Sequence, residues 1–125
     1  MTERPRVALV VREPWARLIV DGSKRWELRG CRCLKHIGKR VAIARAGSGT
    51  LVGEVTIAEC LDVTDTWQLP ENDSYHRVVD HQQITYQRVY AWVLEDASAY
   101  IEPKVYARQK GSITWVTLLP ESGAR

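Results

Sequence analysis

The chain has 125 residues, 45% of them hydrophobic and 26% charged, which is the size and composition of one globular domain. Its longest apolar runs, Val7–Val11 and Val89–Leu94, are far too short to cross a bilayer, and the first residues show no signal-peptide pattern, so we expect a cytoplasmic protein without a membrane segment. The net charge is only +3, so a role in binding polyanions depends on how the charges are distributed.

The first elements are a strand, a short helix and a glycine turn. Val7–Val11 is a compact apolar run and predicts a buried strand. Pro14 suits the first position of a helix, because the backbone N–H at that position has no partner within the helix, so proline loses no hydrogen bond there. Apolar residues at helical spacing follow, and Gly22 predicts the end of that helix.

The next segment is rich in β-strand patterns. Trp26 and Leu28 alternate with charged residues, as in a half-buried strand. Arg40–Ala44 and Leu51–Leu61 predict two further strands, joined by a turn at Gly47-Ser48-Gly49.

The region from about residue 64 to 88 is polar. Asp73 is a suitable N-terminal cap for a short helix over Ser74–Gln83, with Val78 and Val79 turned inward. Beyond it, the pattern predicts a strand at Val89–Leu94, a break at Glu102-Pro103 and a last strand at Ile113–Leu118.

Many short strands and two short helices, without repeats or a linker, favour one α+β domain over residues 1–125, with its core at about 7–118. The predicted architecture is a small mixed β-barrel with short helices packed at its ends.

The basic residues are concentrated in the first third of the chain. Residues 1–45 hold twelve Lys/Arg and four acids, a net charge of +8, which leaves −5 for residues 46–125. A segregated basic region is typical of a surface that binds polyanions. The alternative is that folding scatters these charges over all faces.

The cysteines are three in number, which in a chain without a secretory signal indicates free thiols. Cys31-x-Cys33-x2-His36 resembles a fragment of a zinc site, but Cys60 stands alone and the usual second pair of ligands is missing. We therefore expect neither a metal nor another cofactor.

One octet carries the chemistry, Gly22-Ser23-Lys24-Arg25-Trp26-Glu27-Leu28-Arg29. In a strand, Glu27 and Arg29 point to the same face, and the Lys24 ammonium can swing over it after the glycine turn. Arg29 offers a planar guanidinium that suits a phosphate or the edge of a base. Glu27 can hold the two cations in place or accept a hydrogen bond from the amino group of a base. The alternative is a solvated ion-pair strand.

Further candidates lie near this octet or in a distal loop. Trp15 offers a surface for stacking an unpaired base, although at helical spacing it is also a core candidate. Arg12 lies at the corner between strand and helix. Arg108 and Lys110 form a basic loop, which alternatively serves only solubility.

Gly22-x-Lys24-x-x-Glu27-x-Arg29 resembles the GxKxxExR motif of the ASCH domain, a PUA-like β-barrel family associated with RNA and coregulator functions. The resemblance extends from about Val7 to Leu118, through further matching positions: Arg12-x-Pro14-Trp15-Ala16, Tyr90–Leu94, Pro103, Gly111 and Trp115. It implies a PUA-like barrel with a cleft beside the first helix, lined by the motif, where a nucleotide or modified base sits. Lys24, Glu27 and Arg29 follow from the motif, whereas Arg12, Trp15, Arg108 and Lys110 are added from position and chemistry.

The resemblance favours a protein that binds RNA or single-stranded nucleic acid. The alternatives are a hydrolase acting on modified nucleosides such as N4-acylcytidine, a ribonuclease, or a protein-interaction module. In an enzyme, Lys24 and Glu27 would be the catalytic candidates. The amidohydrolases of the family carry Thr at the position of Glu27 and use a later carboxylate, for which this chain offers Glu71, Asp73 and Asp80. A ribonuclease would need a base, with these candidates: His36, His76 and His81.

Overall fold

The computed structural model describes residues 4–107 and 114–118. Within these ranges the strands are β1 (Val7–Val11), β2 (Trp26–Arg29), β3 (Arg40–Arg45), β4 (Thr50–Asp62), β5 (Tyr90–Val105) and β6 (Trp115–Thr117). The helices are α1 (Trp15–Val20) and α2 (Asp73–His76), with single 3-10 turns at Pro70–Asn72 and His81–Gln83. None of the described helices is long and apolar enough to cross a membrane.

The strands form one sheet in the order β2-β5-β4-β3-β1-β6. The β1–β3 pair is parallel and the other pairs are antiparallel. The sheet curls into a half-barrel, and the helices of the fold are few and short. The predicted α+β class and the barrel-like architecture are confirmed.

A bulge bends the long central strands. Glu54 pairs with Ser98 and Thr56 pairs with Glu95, so one residue of β4 faces two residues of β5. Asp96, at the bulge, has a φ of +54°. Arg40 holds this geometry, because its guanidinium donates to the Asp96 carbonyl at 2.8 Å and to Glu54 at 2.7 Å.

The helix α1 packs its buried face against the sheet. Ala16, Ile19 and Val20 are its buried residues, and they join the main apolar cluster with strand residues such as Ile43. Gly53 of β4 allows this close approach. A Cβ atom there would lie 2.7 Å from a Val20 methyl and 2.5 Å from the Ser98 carbonyl oxygen.

Several predicted elements are confirmed. β1 has the predicted bounds, β2 to β4 lie within a few residues of their predicted ranges, and Gly22 follows α1 with a φ of +87°. The predicted break at Glu102-Pro103 is wrong, because β5 continues to Val105. β2 pairs only with Tyr90–Val93, so this later part of β5 has one edge without a described strand partner. Pro103 also lies in the register shift between the Leu51–Lys104 and Gly53–Ala99 pairs, and edges and bulges are where strands tolerate proline.

The predicted helix over Ser74–Gln83 is also wrong in extent. Arg77 adopts a left-handed conformation, with a φ of 59°, and ends α2 after a single turn. As a result Val78 is buried, whereas Val79 is 97% exposed and does not turn inward.

Candidate functional site

A carboxylate between two cations lies at the centre of the site. Glu27 Oε2 is 2.7 Å from Arg29 Nε, and Glu27 Oε1 is 3.7 Å from Lys24 Nζ. The alternation of side chains along β2 places Glu27 and Arg29 on one face, next to their cross-strand partners Trp92 and Tyr90. The structure therefore brings together the three residues predicted from the sequence, Lys24, Glu27 and Arg29, which we call the trio.

Lys24 is almost completely buried, with 2% of its surface exposed. Its ammonium donates a hydrogen bond to the main-chain carbonyl of His76 at 2.5 Å and lies 5.8 Å from the centre of the Trp15 ring. The ammonium lies beside Glu27, as the sequence suggested, and α2 supplies a second partner that holds it there. Sequence reasoning missed the role of His76, since 52 residues separate the two partners.

Burial lowers the pKa of Lys24 to about 8. Desolvation is the largest cause, and Arg29 and Arg77 act in the same direction, whereas Glu27 raises the pKa. The amine is therefore mostly protonated at neutral pH and loses its proton in mildly alkaline solution.

Arg29 is the partly accessible member of the trio, with 17% of its side chain exposed. Its Nε donates to Glu27, and one Nη2 hydrogen bond goes to the Val10 carbonyl at 3.0 Å. The guanidinium also lies over the Trp92 ring, with its Cζ 5.6 Å from the ring centre. A guanidinium has five N–H donors, so three of them have no protein acceptor within the described residues.

The remaining sequence candidates are distributed around the trio or outside the described ranges. Trp15 is half-buried and contacts two apolar clusters beside Lys24. Arg12 is exposed, and within residues 4–107 and 114–118 no ion pair or hydrogen bond joins its side chain to the trio. Arg108 and Lys110 lie outside the described residues.

A cavity of about 310 Å³ lies between the end of α1 and the bulge of β5. Gly22, Lys24 and Arg25 line one side, and Glu95 and Asp96 line another. Glu27 and Arg29 are not part of its lining. The cavity therefore touches only the first half of the motif.

Asp73, His76 and His81 have potential metal-ligand atoms within 4.8 Å of one another. His76 Nδ1 accepts the N–H of Val78 at 2.9 Å, so in the neutral ring Nε2 carries the proton and donates to the Trp67 carbonyl at 3.0 Å. A metal at Nε2 would have to break both hydrogen bonds. The buried ring instead anchors the backbone that binds Lys24.

The ASCH domain family matches residues 9–114. This chain belongs to the ASCH domain family. The family is PUA-like and is associated with nucleic-acid binding.

Solved structures share the fold of this chain. The crystal structure of the ASCH protein from Zymomonas mobilis is 19% identical, with a TM-score of 0.69, over 94% of this chain and 90% of that chain. Crystal structures of two single-substitution variants of the same Zymomonas mobilis protein match with the same identity and TM-score, over 93% of this chain and 91% or 92% of theirs. At this low sequence identity, the structural likeness shows that the proteins share a fold. No curated protein matches the chain.

The later carboxylates of this ASCH domain do not reach Lys24. Asp73 lies 3.1 Å from His81 Nε2, and Asp80 accepts the N–H of Gln82 at 3.0 Å. Glu71 is exposed in the turn before α2. Within the described residues, the Lys24 ammonium forms an ion pair with Glu27 and a hydrogen bond with the His76 carbonyl.

Proposed function

We propose that this ASCH domain binds RNA or another single-stranded nucleic acid at the trio of Lys24, Glu27 and Arg29. The observation that supports this function best is the state of Arg29. Its guanidinium is held in place by Glu27 and the Val10 carbonyl, yet three of its N–H donors have no acceptor within the described residues. A planar, oriented set of donors suits a phosphate or the acceptor edge of a base.

Each member of the trio has a separate role in this proposal. Arg29 contacts the nucleic acid directly. Glu27 orients the Arg29 guanidinium, and Lys24 compensates the Glu27 charge, so the trio keeps a net charge of +1 while Lys24 is protonated. Trp15 stacks an unpaired base, and Arg12 contributes a phosphate contact. Arg108 and Lys110 are proposed as further phosphate contacts.

The test measures binding of a fluorescently labelled single-stranded RNA by anisotropy between 50 and 200 mM salt. Arg29→Ala is expected to weaken binding about tenfold or more, because a hydrogen bond to a charged group contributes about 1.5–3 kcal/mol. Arg29→Lys keeps the charge but loses the planar fork, and we expect intermediate binding. Lys24→Met is expected to weaken binding as well, because the trio then loses its positive charge.

Lys104→Ala is the matched control, because Lys104 is exposed near the end of β5 that lies opposite Tyr90, the cross-strand partner of Arg29. It is expected to bind RNA nearly as the unaltered protein does. Thermal unfolding of every variant establishes that it is folded. If folded Arg29→Ala and Lys24→Met bind as tightly as the unaltered protein at both salt concentrations, the site assignment is wrong.

Hydrolysis of N4-acylated cytidine is a second candidate, and the lowered pKa of Lys24 is the observation that favours it. An amine with a pKa of about 8 has a reactive neutral fraction at physiological pH. Incubation with N4-acetylcytidine separates the two functions. Release of acetate that disappears in Lys24→Met would establish the enzyme, whereas RNA binding without turnover is the result that we expect.

A further inference from the structure

Acidic residues are absent from the 26 positions between Glu27 and Glu54. The same stretch holds six basic residues: Arg29, Arg32, Lys35, Lys39, Arg40 and Arg45. Three of them, Arg32, Lys35 and Lys39, lie in the segment 30–39 that connects β2 to β3, which we call the basic loop. The basic loop begins directly after Arg29.

The cations of the basic loop are exposed and available. In the described part of the chain, no carboxylate forms an ion pair with Arg32, Lys35 or Lys39. Arg40, immediately after the loop, is different, because its guanidinium is bound by Glu54. The loop therefore presents three cations whose charge is not compensated locally.

Main-chain bonds hold the basic loop in place. The Cys31 carbonyl accepts the indole N–H of Trp92 at 2.9 Å, and the N–H of Gly38 donates to the Ile57 carbonyl at 2.6 Å. Cys33 is buried, and its N–H lies 3.4 Å from the sulfur of Cys60. A loop ordered in this way loses little conformational entropy when it binds a partner.

The loop continues the cation row of the candidate site. Arg29 lies over the Trp92 ring, and Arg32 lies over the Tyr90 ring with its Cζ 4.8 Å from the ring centre. Trp92 and Tyr90 are two residues apart on one strand, so they share a face and are separated by about 7 Å along it. The two guanidinium groups thus form a row that leads from the trio into the loop.

An apolar surface lies among these cations. Leu34 is 73% exposed and Ile37 is 39% exposed, between Arg32 and Lys39 in the chain. Cations that flank exposed apolar side chains suit an unpaired strand, which offers phosphates and base faces together.

We infer that the basic loop binds the sugar–phosphate backbone of a single-stranded nucleic acid whose neighbouring nucleotide contacts Arg29. This inference rests on the proposed function. Arg32, Lys35 and Lys39 contact phosphates, and Leu34 packs against a base.

The test uses the full chain with a labelled single-stranded RNA dodecamer of mixed sequence, between 50 and 200 mM salt. Removing three phosphate contacts, in Arg32→Gln/Lys35→Gln/Lys39→Gln, reduces the slope of log K against log salt by about 2, since each contact contributes about 0.7. Across this fourfold change of salt, the unaltered protein then loses about twentyfold more affinity than the variant. Leu34→Ser is expected to weaken binding without changing the slope.

The control variant removes three exposed cations elsewhere, as Arg17→Gln/Arg45→Gln/Lys104→Gln, and is expected to keep at least most of the slope of the unaltered protein. If the loop variant has the same slope and affinity as this control while Arg29→Ala binds weakly, the inference is wrong and the proposed function stands. If the unaltered protein fails to bind the dodecamer at 50 mM salt, the proposed function is wrong and the inference falls with it. Sedimentation with vesicles of 30% phosphatidylserine and 70% phosphatidylcholine, without RNA binding, would identify the loop as a membrane contact instead.

Discussion

Lys24 and Glu27 are charged residues that the fold buries, and burial of a charge is costly unless partners compensate it. Glu27 has two cations beside it, and Lys24 has a carboxylate and a main-chain carbonyl. Neither charge would be tolerated here alone. The geometry of the trio therefore depends on all of its members and on the backbone of α2.

The pKa of Lys24 makes stability depend on pH. In the folded protein the pKa is about 8, and in the unfolded chain it is near 10.5. Below pH 8 the amine is charged in both states and the cost of burial is complete. Between pH 8 and 10.5 the unfolded chain binds more protons, so the free energy of unfolding rises with pH through this window.

The variant Lys24→Met lacks the titrating amine and therefore tests this pH dependence of stability. We expect the stability of the unaltered protein, measured relative to Lys24→Met by urea unfolding, to increase by up to about 3 kcal/mol from pH 7.5 to 10.5. The comparison cancels the titration of other groups that both proteins share. A stability difference that stays constant across this range would contradict the lowered pKa.

At this scale the sequence predicted one part of the site and missed another. Alternation along a strand was sufficient to place Glu27 and Arg29 on one face. The burial of Lys24 depends on the His76 carbonyl, whose direction is set by hydrogen bonds of the His76 ring and by the left-handed Arg77. Such long-range contacts cannot be predicted from a local sequence pattern.

At the scale of elements, the contact between α1 and β4 positions the start of the motif. Gly53 lets Val20 approach the strand, and the turn at Gly22 then directs the chain toward Lys24. The two glycines are needed for different reasons. A Cβ atom at Gly53 would overlap its neighbours, whereas a Cβ atom at Gly22 meets no atom within 4 Å but requires a left-handed backbone.

Alanine substitutions separate these two effects. Gly53→Ala is expected to lower the free energy of unfolding by about 3 kcal/mol, because the Ser98 carbonyl belongs to a paired strand and cannot yield easily. Gly22→Ala is expected to cost only about 1 kcal/mol, the penalty of a left-handed conformation for a residue with a side chain. Urea unfolding measures both. Equal losses, or no loss in Gly53→Ala, would refute the proposed packing.

Element boundaries were predictable where the local pattern is strong. The apolar run of β1 and the glycine after α1 are examples. Pro103 misled the prediction, because only tertiary context shows that it lies in a part of β5 with one strand neighbour. The polar segment around α2 misled it as well, since Arg77 adopts a left-handed conformation that its residue type does not favour.

At the scale of the whole molecule, the uneven charge distribution of the sequence corresponds to two neighbouring basic features of the fold. The trio and the basic loop both belong to the basic first part of the chain, and they adjoin each other after folding. The α+β barrel class could be predicted because short strands with turn signals recur along the chain. The strand order could not, since the parallel pairing of β1 with β3 depends on contacts between distant segments.

The central claim is that nucleic acid binds at Arg29. The side-chain N–H resonances of the protein test it most directly, because Arg29 Nε and the five tryptophan indoles each give a separate NMR signal. On titration with single-stranded RNA, we expect the signals of Arg29, Trp92 and Trp15 to shift together. If RNA binds and these three signals do not move, the nucleic acid lies elsewhere and the account is wrong.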